Sequence, residues 1–195
     1  MKKYSDSEEY NLGCSDELST QYSSKSRHYH NLEHLENMLK MLEEVEAEVN
    51  DTDTLLFSIF YHDIVYKATR ADNEYQSALL FEKHISKTSF ESTSASMLQI
   101  ELTKEHLLSE DKDTNILMDL DLSILGSSPE KYDKYQRSIR KEYIIYPDFM
   151  YKKGRVKVLK SVLDTRSIFK TDYFKDKFED QARINLWEEL KGLRV

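Results

Sequence analysis

The sequence predicts an all-α fold, a helical bundle formed as one domain over residues 1–195. Three observations lead there. Glycine (4) and proline (2) are scarce in 195 residues, whereas strand-rich folds need turn residues at short intervals. Apolar residues recur at helical spacing, as Leu32, Leu35, Met38, Leu39 and Leu42 do. Residues that cap, open or stop helices stand between such stretches, among them Asn31, Asp72, Gly126, Pro129 and Pro147.

Residues 1–21 are rich in serine, tyrosine and charge and carry little pattern; a short helix is expected around 15–22. Asn31 can cap the helix that starts at Leu32, and Asn50 with Asp51 can end it. Residues 55–66, LLFSIFYHDIVY, are almost continuously apolar. Periodicity alone fits a buried strand as well as a buried helix. The absence of turn signals, with Asp51 or Asp53 as cap, favours the helix. A helix apolar on nearly all sides belongs at the centre of a bundle. Further helices are expected from Asp72 or Asn73 to about residue 87, and over 95–106, 115–125, 129–146, 148–163 and 172–193. The helices of 148–195 are expected to pack on the core.

Charged residues make up 33% of the chain and the net charge is −8. General nucleic-acid binding draws on basic surface, so this balance argues against it. It leaves a phosphorylated small molecule open, because a metal attracts an anion locally whatever the global charge. Cys14 is the single cysteine, which excludes a disulfide within the chain and fits a reducing compartment. No apolar run reaches membrane-spanning length. The opening MKKYSDSEEY has no apolar region like that of a signal peptide. A cytoplasmic protein without a membrane partner is therefore expected. The oligomeric state is not readable, and a homodimer stays open.

Of the six histidines, three fall in RHYHNLEH, where His30 and His34 are four apart and share a face on a continuous helix. Such a pair also occurs as surface histidines at a helix start. His62-Asp63 lies in the most apolar segment, and a buried carboxylate must be paired, hydrogen-bonded or metal-bound. A His–Asp hydrogen bond in a structural network meets that demand as well as a metal does. In MDLDLSILG, Asp119 and Asp121 alternate with apolar residues; each can bind metal, cap a turn or pair with an arginine. Together these imidazoles and carboxylates make a mixed nitrogen/oxygen set suited to Mn, Fe, Zn, Ni or Co, and to Mg where water completes the shell.

The order H…HD…D on separate helices resembles the HD superfamily. The wider text is similar to its branch of predicted metal-dependent phosphohydrolases, through RHYHNLEHL, FYHDIVY, DNEYQSA, Thr103 to His106, DLDLSILG, YDKYQRSIRKEY, GRVKVL and ARINLWEEL. The similarity runs over nearly the whole chain from about residue 22. It implies an HD-type helical bundle that holds one divalent ion by His34, His62, Asp63 and Asp121, with Asp119 the alternative to Asp121. It also implies hydrolysis of a small phosphoester, a nucleotide among the candidates, with Asp63 helping to orient or deprotonate the attacking water.

His30 and His106, with Asp119, are candidates for a second metal or for phosphate binding. Arg27 and Arg140 are candidate phosphate clamps, since a guanidinium grips an oxyanion at two points; salt bridges are the plainer alternative. Glu74 is either a general acid or a carboxylate favoured at a helix start. His84 is expected on a solvated face, and Arg155 and Arg183 in internal pairs. Two other functions compete. Certain HD proteins are di-iron oxygenases, which the extra histidines leave open. A non-catalytic sensor that keeps the metal for structure is the third.

Overall fold

The computed structural model describes residues 1–193. Among them it contains nine α-helices, two short 3₁₀ helices and no strand, so the fold is all-α. None of the described helices is long and apolar enough to cross a membrane. The chain groups into two compact units, Met1–Leu117 and Met118–Val195.

The first unit holds α1 (Glu8–Tyr22), α2 (Leu32–Glu43), α3 (Thr52–Tyr61), α4 (Asn73–Ile85), α5 (Thr93–Leu102) and the start of α6 (Lys112–Leu122). α1 begins earlier than the expected 15–22. Ser7 caps it by accepting from the Tyr10 amide, and Glu8 and Glu9 in the first turn suit the helix dipole. Only Asn11, Cys14 and Tyr22 are buried on it, so no apolar stripe announces it in the sequence.

α3 packs on α2, α4 and α5. Leu55, Ile59, Ile64, Phe81 and Ile100 are fully buried around it, each worth roughly 1.5–3 kcal/mol on leaving water. Asp51 is the cap, accepting from the Thr54 amide at 3.0 Å and its hydroxyl at 2.6 Å. Asp53 instead receives the Tyr4 hydroxyl and Lys3. From α6, Asp113 accepts the amides of Asn50 and Asp51, holding the start of α3 a second time.

The helix expected over 55–66 stops at Tyr61. Beyond it the backbone turns because its carbonyls are taken by side chains. Arg27 donates to the carbonyls of Asp63 (2.6 Å) and Ile64 (2.7 Å). Ser77 and Asn73 of α4 bond the backbones of Val65 and Lys67. α5 likewise ends at Leu102, short of the expected 106, and His106 lies outside it with a left-handed φ of 48°.

The second unit holds the rest of α6, α7 (Pro129–Glu142), α8 (Asp148–Leu163) and α9 (Asp172–Leu193). α9 packs on α8 and on the 3₁₀ turn Ser123–Gly126. Gly126 is required by that approach, because a Cβ there would sit 2.5 Å from Phe178 Cβ. α7 ends at Glu142 and not at the expected 146: Arg140 takes the carbonyls of Tyr143 and Tyr146. Arg155 and Arg183 form the expected internal pairs. Arg155 is bidentate to buried Glu189, which also accepts from the Tyr132 hydroxyl, and Arg183 bonds Glu179.

Candidate metal centre

Two helix ends and one turn build the centre, all within the first unit. Asn31 caps α2, its side-chain oxygen accepting from the amides of Glu33 and His34. That cap fixes the first turn, where His34 is 4% exposed. His62 closes α3, its amide bonded to the Ser58 carbonyl at 2.9 Å, and is 1% exposed. Its ring Nδ1 lies 2.7 Å from the Ile59 carbonyl. A carbonyl only accepts, so Nδ1 carries a proton, and the ring in its neutral form presents a lone pair at Nε2.

That Nε2 lies 3.3 Å from His34 Nε2 and 3.3 Å from Asp63 Oδ2. One ligand atom from each of the three residues falls within 4.8 Å of the others. Bonds of about 2.0–2.2 Å to a shared tetrahedral ion would hold neighbouring donors about 3.3–3.6 Å apart. The donor types, their spacing and the fixed His62 tautomer therefore fit a metal ion, and the group His34, His62 and Asp63 can hold one.

His30 stands beside this group. Its Nε2 is 3.9 Å from Asp63 Oδ2, and its ring stacks on Tyr66 with centroids 4.1 Å apart. Arg27, a candidate phosphate clamp, bonds the backbone around this group. Besides the carbonyls of Asp63 and Ile64 it bonds the His30 carbonyl at 3.0 Å, and its guanidinium lies over the Tyr22 and Tyr66 rings. It thus ties both histidine-bearing segments together. Glu74 is half-buried in the first turn of α4, where the helix-start alternative puts it. The holding of the turn falls to its neighbours Asn73 and Ser77. His106 lies in the turn after α5, outside the three-residue group.

Asp119 and Asp121 belong to the second unit. Asp119 is fully buried, and its carboxylate accepts from the amides of Lys170 and Thr171 and from the Thr171 hydroxyl at 2.7–3.0 Å. It caps the start of α9, the structural alternative weighed for it. Burial pushes its pKa up against those donors. Asp121, on the same helix, is half-buried. Arg140 donates to Asp148 as well as to its two carbonyls and lies over the Tyr151 ring. It lines a cavity of about 310 Å³ with Arg137, Lys152, Asp148 and Glu189; its salt bridge is the plainer of the two roles weighed for it.

Sequence reasoning missed Asn73, Ser77 and Tyr61, and it placed His84 on a solvated face although that ring is 4% exposed. The signal for Asn73 and Ser77 is their i, i+4 spacing on one face of a helix that also buries Ala78, Phe81 and Ile85. Comparison with known proteins gives no match: no family model, curated protein or solved structure is similar to this chain.

Proposed function

We propose that this chain is a metal-dependent phosphohydrolase of the HD superfamily, acting on a small phosphoester such as a nucleotide. The observation that carries the reading is the convergence of His62 Nε2, with its proton fixed on Nδ1, on His34 Nε2 and Asp63 Oδ2 at 3.3 Å each. Two imidazoles and a carboxylate favour Mn, Fe, Co, Ni or Zn over the harder Mg. A divalent ion held there would supply charge against a phosphoryl oxygen and lower the pKa of a nearby water.

The chain's own groups account for the remaining chemistry. The Asp63 carboxylate, half-buried at the edge of the group, can accept the proton of an attacking water. His30, 3.9 Å from that carboxylate, can donate to a phosphate oxygen. Arg27 keeps the turn in shape by holding the carbonyls of His30, Asp63 and Ile64.

Elemental analysis of gently purified protein, followed by phosphomonoester and phosphodiester assays with added Mn, Co, Ni and Mg, tests the reading. The expected result is about one equivalent of divalent ion per chain and metal-dependent phosphate release that His62→Ala abolishes. If His62→Ala and Asp63→Ala kept both metal content and turnover, the reading would fall.

A further inference from the structure

A second polar cluster lies on α3 beside the candidate ligands, and the chemistry above does not use it. Tyr61 directly precedes His62. Its hydroxyl is 3.0 Å from His84 Nδ1, and His84 Nε2 is 3.1 Å from a carboxylate oxygen of Glu17 on α1. The Glu17 carboxylate only accepts, so Nε2 carries the His84 proton. In the neutral form of the ring, Nδ1 accepts and Tyr61 donates. Burial raises the Tyr61 pKa, which keeps that hydroxyl protonated. α1 grips His84 a second time, through the Tyr10 hydroxyl on its backbone carbonyl at 2.8 Å.

From this we infer that His84, held by Glu17, is a positioning residue that acts through Tyr61 to set the turn carrying His62 and Asp63. The phenol is a rigid lever on the last residue of α3. Anchoring its far end fixes the rotation of that final turn, and with it the direction in which His62 and Asp63 leave the helix. The same anchor protects the Nδ1–H to Ile59 bond that aims His62 Nε2 at His34. Outer partners of ligand residues commonly change metal affinity 10–100-fold. Part of the inference, the effect on metal affinity, rests on the reading of a metal centre; the effect on the His62 ring does not.

Four single variants and two measurements decide it. Asn places an oxygen where His84 Nδ1 stands and keeps the Tyr61 bond; Gln keeps the donor toward Glu17 and loses that bond. In metal-free protein, the downfield proton signal of His62 Nδ1–H is expected to move upfield in Tyr61→Phe, His84→Ala and His84→Gln, and to stay near wild type in His84→Asn. Titration with Co²⁺ is expected to show affinity about tenfold weaker in the first three and restored in His84→Asn. Tyr61→Phe deletes one hydroxyl and keeps the test open if His84→Ala fails to fold. Wild-type ring signals in Tyr61→Phe and His84→Gln would overturn the inference. If wild-type protein took up no Co²⁺, the metal reading would fall, and the ring signals would still decide the role of His84.

Discussion

Asp63 and Asp119 are both acidic residues in apolar stretches, and each looks anomalous there for the same reason. Their surroundings differ in the type of group that answers them. Asp119 meets two backbone amides and a hydroxyl, all donors, so a carboxylate satisfied by the protein closes a helix end. Asp63 meets imidazole nitrogens, and the nearest, His62 Nε2, presents a lone pair because its proton sits on Nδ1. With His34 beside them, these groups can hold a cation. An apolar setting makes both residues conspicuous, and the kind of neighbour separates a cap from a candidate ligand.

The largest effect that would sharpen this contrast is on metal affinity. His62→Ala removes the central donor, and Co²⁺ affinity by calorimetry is expected to fall at least about 100-fold, with the helical circular dichroism kept. Asp119→Ala should do the reverse. It strands two half-buried amides and is expected to cost about 2–3 kcal/mol in urea denaturation, with Co²⁺ affinity within about twofold of wild type. A metal defect in Asp119→Ala without a stability loss would break the contrast.

Arg27→Lys is expected to lie between these two, because an ammonium cannot span three carbonyls as the planar guanidinium does. A stability loss of about 1–2 kcal/mol should accompany a metal affinity about tenfold weaker. A loss of stability alone would separate the strut from the site.

The smallest expected effect concerns acid sensitivity. Burial pushes the pKa of Glu179 up, but the amides of Ile168 and Phe169 and the Arg183 guanidinium outweigh it and hold the group below its usual 4.5. Its folded pKa is depressed, so its contribution is present above the unfolded value and lost as pH falls through the folded one. The stability gap between wild type and Glu179→Gln, measured by urea denaturation over roughly pH 6 to 3, should therefore close on acidification. A gap that stayed constant would show that Glu179 acts through packing.

Much of the architecture was legible. Scarce glycine and proline foretold helices, and Asn31 and Asp51 cap where the sequence suggested. The site was legible where burial made a residue conspicuous, as at His62 and Asp63. It was illegible where a side chain distant in sequence intervenes. Nothing local to residues 55–66 shows that Arg27 will claim the carbonyls that would have extended α3. Nothing around His84 shows that Glu17, 67 residues away, will bond it. Asp119 looked like a ligand candidate because its partners, Lys170 and Thr171, are brought to it only by the fold.

The way the turn after α3 is tied has a consequence for local opening. The amides of Val65 and Lys67 are held by the side chains of Ser77 and Asn73, not by a helical ladder. Such a segment can come loose without unwinding the helix before it. In native-state deuterium labelling, Val65 and Lys67 should therefore exchange together and ahead of the buried amides of α3. The turn bearing Asp63 would then open as its own cooperative unit, and an ion held there could enter or leave while the core stays folded.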